Sequence, residues 1–356
     1  MAIDEIIELA RSGHVEEAII RINHLRDPLE QIKALTEVAG ILHERGEDDW
    51  SIELIQDANY IVRHTKDPYV RSVGYSMVGF ALSKLGYIEE GEEFFKSALD
   101  EVTKIGDVMK TGEALARIAG YIALTGAVDY ALKLFDTALE IVVRAEADYI
   151  RKTEAMTTIA EIIEEAADRL YAPKAAKLYE MAFDIFEKLH VPQKAGTVEK
   201  KLMLSRIVRT AGFPEVRNAL MEGRYRYALA MIGRLLSGED RIVGILEEAL
   251  WMKIGNNPSY LDVVNNILSQ LERLSFSQEG IKRIAHLLTK LGKLDGALRF
   301  AVKIEDEIEK SEALQRIALS LAEEGMFKEA EVVAMKIPDP TIREQTLREI
   351  KTIEPW

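Results

Sequence analysis

Six histidines stand at positions 14, 24, 43, 64, 190 and 286. No two are spaced HxxxH or HExxH, the separations that put two metal-binding imidazoles on one helix face. Each is read as a solvated or packed side chain. Carboxylates gather at Glu161, Glu164 and Glu165, and at Glu89, Glu90, Glu92 and Glu93. Such spacings place two acids on one helix face. General acid–base work also needs a proton donor, a base or a metal beside them, and nothing nearby in sequence supplies one. The chain has no cysteine, which excludes thiolate catalysis, disulfides and Cys-based zinc sites together. Neither GxGxxG nor GxxxxGK[ST] is present, and no GxSxG elbow offers a serine nucleophile. No catalytic residue, cofactor site or metal ligand is expected, and the protein is expected not to be an enzyme.

One segment is unusual in charge. Residues 194–241 hold ten Lys/Arg against five Asp/Glu, in a chain of net charge −14. Arg206 and Arg209 share a helix face, and Arg224-Tyr225-Arg226-Tyr227 interleaves cations with aromatic rings. Such a patch suits an acidic partner or a phosphate backbone. The same residues also suit internal pairing with carboxylates of neighbouring helices. The acidic balance elsewhere argues against nucleic-acid or anionic-membrane binding by the surface as a whole.

The elements that carry these residues are helices. Residues 107–147 write the pattern most clearly. Leu115, Ile118, Ala119 and Ile122 recur at i, i+3, i+4 and i+7, one stripe of a helix. Gly126 follows, where a helix ends in a left-handed conformation. Val128, Ala131, Leu132, Phe135, Ala138, Leu139 and Val142 then form one face of a second helix. Neither stripe is hidden by its partner alone, so further pairs must stack on both sides. Asp27-Pro28 and Asp67-Pro68 begin helices forty residues apart, and Asp107 and Asp148 continue the series. Aspartate at these points accepts orphan backbone N–H groups, and proline lacks the one that would be wasted.

Leu115, Ile118, Ala119, Ile122, Gly126, Ala131, Phe135 and Ala138 resemble the signature of tetratricopeptide (TPR) repeats. Copies lie around Gly46, Gly86, Gly292 and Gly325. The usual tryptophan is Leu115 here and the usual terminal proline is missing, so the chain is similar to TPR rather than a regular example. The resemblance implies an all-α, right-handed solenoid of antiparallel helix pairs. It also implies a groove lined by the first helix of each pair. Position by position this gives Lys33, Thr36, Gly40, His43 and Glu44, then Val73, Ser76, Phe80, Ser83 and Lys84. Glu113, Ala116, Gly120 and Ala123 follow, then Glu154, Thr157, Glu161 and Glu164. The function expected is a non-catalytic scaffold holding a protein or peptide partner, an acidic one among the options. The alternative is a nucleic-acid-associated or regulatory repeat protein using residues 194–241.

Gly212-Phe213-Pro214 breaks the pattern, and residues 215–228 echo residues 5–18 with Gly223 in the role of Gly13. The expected organisation is one array over residues 1–212 and a second over 213–356, with a capping helix from Pro340 to about Ile353. Arg206, Arg209, Arg224 and Arg226 are then expected to face a shared cleft. Tyr171-Ala172-Pro173 is expected to lengthen the turn before it. Gly86, Gly126 and Gly325 are expected at positive φ, and Phe95 and Phe135 in the core. No run approaches 18 apolar residues, so no membrane span is expected. Residues 1–10 lack the basic start and apolar core of a signal peptide, so the expected location is the cytoplasm. Abundant Glu, Lys and Arg with few Asn and Gln point to a thermophile.

Overall fold

The structure is a computed structural model that describes residues 3–170, 174–271 and 274–353. The turn at Tyr171-Ala172-Pro173 lies outside the described residues. The chain divides into two compact units, one of Met1–Leu170 with Lys174–Leu202, the other containing Met203–Trp356.

The first unit is a ladder of helix pairs. α1 (Ile3–Arg11) pairs with α2 (Val15–Asn23), and α3 (Pro28–Glu44) with α4 (Asp48–His64). α5 (Pro68–Lys84) pairs with α6 (Ile88–Val102), α7 (Val108–Leu124) with α8 (Val128–Arg144), and α9 (Tyr149–Arg169) with α10 (Lys174–Lys188). The first helices also stack on one another in order, α1 on α3, then α5, α7 and α9. α11 (Pro192–Ile207) follows, and the division of units falls within it.

Gly212-Phe213-Pro214 lies inside the second unit. A 3-10 turn at Arg209–Gly212 precedes α12 (Pro214–Met221), which pairs with α13 (Tyr225–Leu235). Next come α14 (Gly238–Ile254) with α15 (Tyr260–Leu271), and α16 (Gln278–Lys290) with α17 (Leu294–Ala301). α18 (Glu307–Glu323) pairs with α19 (Phe327–Ala334), and α20 (Pro340–Ile353) covers both. No strand occurs among the described residues. The fold is all-α, a TPR-like repeat of antiparallel helix pairs.

Local chemistry sets the boundaries. Asp27, Asp67, Asp107 and Asp148 all cap helices, accepting from the backbone N–H of Leu29, Tyr69, Met109 and Arg151 at 2.8, 2.8, 2.8 and 2.9 Å. The basic residue that follows such a cap ties helices together. Arg71 donates to Glu101 of the partner helix α6 at 2.7 Å, and Arg151 meets Asp107 of the preceding repeat at 3.5 Å. At the other end, Tyr87 N–H donates to Leu82 O at 3.0 Å and Gly86 N–H to Ser83 O at 3.2 Å. This is the Schellman closure, which needs a left-handed residue at Gly86. Gly86, Gly126 and Gly325 take φ of +93°, +99° and +82°. Where glycine is absent the same turn is made at cost by His190 and Asn256, both at φ +55°.

Gly126→Ala should cost about 1 kcal/mol. Nothing but the Lys174 Nζ lies within 4 Å of the methyl it would add, so strain in the backbone and not crowding is the cause. Urea denaturation measures it. An unchanged midpoint would mean the turn relaxes to negative φ freely.

Periodic apolar faces fill the core. Phe135, Ile118, Ile159, Leu178 and Phe186 are fully buried in the first unit, and Phe95 is nearly so. In the second unit Ile284, Ala285, Leu288, Ala301 and Ile317 form the equivalent core.

Candidate functional site

The inner surface of the first unit is built from one face each of α3, α5, α7 and α9. Lys33, Met77, Arg117, Gly120, Tyr121, Ile162 and Arg169 line a hollow of only about 90 Å³ there. Several polar groups of this face pair with one another. Tyr69 Oη donates to Glu113 at 2.7 Å, and Arg117 donates to Glu113 at 2.8 Å and to the Tyr69 oxygen at 3.1 Å. Arg169 donates to Glu37 at 3.0 Å and stands over the Phe80 ring at 5.6 Å. Phe80 in turn meets Tyr121 at 5.8 Å between centroids. Burial pushes the Tyr69 hydroxyl up to about 12, and desolvation does the same for Tyr121. Both phenols stay neutral near pH 7, so neither is a base or nucleophile.

A larger opening lies between the α5–α6 pair and the α7–α8 pair. Its volume is about 570 Å³, within the range of ligand and peptide clefts. Phe80, Ile122 and Leu124 come from the first helices, Phe95 and Leu99 from α6. Ile88 and Tyr130 stand at its edge and are 60% and 49% exposed. Lys84, Lys96 and Glu92 complete the rim. The α5 and α6 backbones touch behind it. A Cβ on Gly79 would come 2.8 Å from Gly91 O, and one on Gly91 would come 2.7 Å from Gly79 O. Only paired glycines allow this approach, which sets Phe95 beside α5. The one hydroxyl on a first-helix wall with nucleophilic potential, Ser83 Oγ, donates to Gly79 O at 2.9 Å. That bond ties the hydroxyl to its own helix.

The residues expected to contact a partner fall in different places. Phe80 and Lys84 line the apolar cleft, and Lys33 lines the small hollow. His43 sits at the end of α3 with Nδ1 2.7 Å from Asp48 Oδ1. Ser76 needs correction. It is fully buried, and its hydroxyl donates to Val73 O at 2.6 Å, so a partner on the groove does not reach it. Ala116 and Ala123 are likewise fully buried. Gly120 lines the small hollow as expected, but beside it stand Arg117, Tyr121 and Leu124, one position further round the helix than Ala116 and Ala123.

The four arginines of the basic segment do not line one cleft within the second unit. Arg209 lines an opening of about 210 Å³ with Glu239, Asp240, Glu247 and Glu279. Its backbone N–H donates to Glu247 at 2.7 Å, and its side chain lies 3.5 Å from Glu279. Arg206 lines a separate opening of about 550 Å³. Arg224 pairs with Glu222 at 2.6 Å and covers the Tyr227 ring at 5.2 Å, while Arg226 is exposed; neither lines these openings. Among the described residues no three His, Asp or Glu side chains converge as a metal site, and no helix is long and apolar enough to cross a membrane.

Two buried acids were not singled out in the sequence. Glu247 and Glu248 stand side by side on α14, both fully buried. Glu247 accepts from Arg283 at 2.7 and 3.0 Å, and Arg283 also donates to Ile207 O at 2.9 Å. Burial pushes the Glu247 carboxyl up and Arg283 opposes it. Glu248 has no hydrogen-bond partner for either oxygen, and burial alone pushes it up to about 8. Their signal in the sequence was a Glu-Glu step inside the apolar run from Ile242 to Met252.

No protein-family model and no curated protein sequence matches the chain. It is similar end to end to the crystal structure of Ton1535 from Thermococcus onnurineus NA1, with 39% identity over 99% of each chain and a TM-score of 0.83. A circular tandem repeat protein with novel repeat topology aligns at 14% identity over 99% of this chain and 95% of that one, with a TM-score of 0.27. The TPR domain of P58(IPK) aligns at 15% identity over 99% and 98%, with a TM-score of 0.18.

Proposed function

The chain belongs to the family of Ton1535 from Thermococcus onnurineus NA1, and we propose that this member is a non-catalytic scaffold that holds a protein or peptide partner. TPR-like repeat folds commonly mediate such interactions, because stacked pairs present long surfaces from rigid elements. The observation that supports this reading is the 570 Å³ cleft between α5–α6 and α7–α8. Phe80, Phe95, Leu99 and Ile122 give it an apolar floor, and Ile88 and Tyr130 are exposed at its edge. Exposed aromatic and aliphatic anchors over a preformed apolar floor are what interface hot spots look like. The occupant is an apolar peptide segment, and the site of action is the cytoplasm.

A peptide library displayed against the purified chain, counter-selected on Ile88→Asp/Tyr130→Asp, tests this. Enriched peptides should carry apolar anchors. Their affinity should fall about tenfold or more in the double variant, a loss on the scale of one hot spot. The circular dichroism spectrum should not change. Peptides that bind the variant as well as the wild type would sink the proposal.

The nucleic-acid reading of residues 194–241 draws less support. Lys194 pairs with Glu161, Lys201 with Glu164 and Asp168, Arg209 with Glu279, and Arg224 with Glu222. A cation already held by a carboxylate adds little to a phosphate contact.

A further inference from the structure

The second opening of the second unit has a different character. It is formed by the end of α11 and by α14 and α16, with a volume of about 550 Å³. Its floor is aliphatic, from Ile207, Leu250, Ile254 and Leu287. Around that floor stand Arg206, Lys253, Arg283, His286 and Lys290, with Asn256 and no carboxylate. Four Lys/Arg side chains and a histidine thus meet on one cavity in a chain of net charge −14.

These five side chains are not equivalent. Arg283 is committed to Glu247 and to the Ile207 carbonyl, so it anchors the wall and contributes little net charge. Lys253 Nζ donates to the Lys290 backbone oxygen at 2.9 Å, which fixes an ammonium at the cavity without neutralising it. Neither Lys253 nor Lys290 has a carboxylate within ion-pair distance among the pairs the structure shows. Glu324 Oε1 and Lys253 Nζ would each lie 3.7 Å from a Cβ placed on Gly292, and Glu324 does not line the cavity. His286 is half-buried. Burial first, then the charges of Arg283, Arg316 and Lys290, lower it to about 4. It is therefore a neutral imidazole near pH 7, with one ring N–H to donate.

We propose that this cavity binds a small phosphorylated molecule, its phosphate on Lys253 and Lys290 and its apolar or planar body on the aliphatic floor. Cations fixed beside a low-dielectric floor hold an anion more tightly than the same charges spread over water. The volume suits a mononucleotide-sized ligand and excludes a folded chain. The peptide cleft belongs to the other unit.

Isothermal titration of the full chain with inorganic pyrophosphate and with AMP tests the proposal. Both should bind saturably at low salt and weaken as salt rises. AMP should bind more tightly because its base covers the floor. Lys253→Gln/Lys290→Gln should weaken both by about tenfold or more, since two charge-assisted contacts are lost. Both lysines are at the surface of their helices, so the melting temperature should hold. Lys290→Gln alone, at an exposed position, should give a smaller loss in the same direction. No saturable binding of either probe at millimolar concentration overturns the proposal, and so does a double variant that binds like the wild type.

Discussion

Glu248→Gln is expected to leave stability unchanged at pH 4 and to raise it by about 4 kcal/mol at pH 8. Glu248 is fully buried on α14, and neither carboxylate oxygen meets a hydrogen-bond donor. Ionising it there is costly because nothing replaces the lost water. Burial pushes its carboxyl up to about 8 from an ordinary 4.5. The folded-state pKa is thus above the unfolded one. Stability is fully present below the unfolded pKa and is lost as pH rises through the window from about 4.5 to about 8. Each pH unit in that window costs about 1.4 kcal/mol, because the unfolded chain releases a proton that the folded chain keeps. Glutamine copies the shape of the neutral carboxyl and cannot ionise, so the slope disappears. Urea unfolding of both proteins at pH 4, 6 and 8 isolates this one group from the other acids. Parallel curves for the two proteins would show that Glu248 finds water or a partner.

Its neighbour behaves differently. Glu247 is equally buried but accepts two bonds from Arg283 and one from the Arg209 N–H. The two adjacent acids therefore separate what burial does alone from what burial does with a partner. Both were visible in the sequence as charges inside the apolar run from Ile242 to Met252. What could not be seen there was which of them Arg283, thirty-six residues away, would reach.

That distinction recurs through the molecule. Features written by neighbouring residues were legible. Aspartate caps at Asp27, Asp67, Asp107 and Asp148 and left-handed closures at Gly86 and Gly126 depend on bonds within five residues. The turns at His190 and Asn256 were not, because the same local closure is made there without the glycine that would have announced it. The groove face was misplaced by about one position. Ala116 and Ala123 read as a polar-to-small surface, yet small residues are what let stacked first helices approach, so they are core. The face that looks inward carries Arg117, Tyr121 and Arg169, long side chains whose partners Tyr69, Phe80 and Glu37 lie in other repeats. The apolar cleft was half legible. Phe80 and Lys84 were placed on it, while Ile88 and Tyr130 belong to second helices that the groove frame left out.

Phe135→Ala is expected to destabilise the first unit by about 3–5 kcal/mol. Phe135 lies in the middle of α8 and is 0% exposed, with Ala131, Ala138 and Val142 buried on the same face. Deleting the ring removes its burial and leaves a cavity that rigid flanking helices close only in part. Phe95 occupies the matching site forty residues earlier, so the loss reports on the repeat frame itself. Tyr130→Ala on the same helix is the control. Its ring is about half exposed at the cleft edge, and surface changes of this kind usually fall within about 0.5 kcal/mol. The pair also separates stability from binding. Well below its lowered transition, Phe135→Ala should keep Tyr130 in place and retain the selected peptides. Tyr130→Ala should keep the transition and weaken them. Urea unfolding followed by circular dichroism, with peptide titration on the same samples, gives both readings. A loss under about 1 kcal/mol for Phe135→Ala would mean that α8 does not seal the core as its periodicity and burial require.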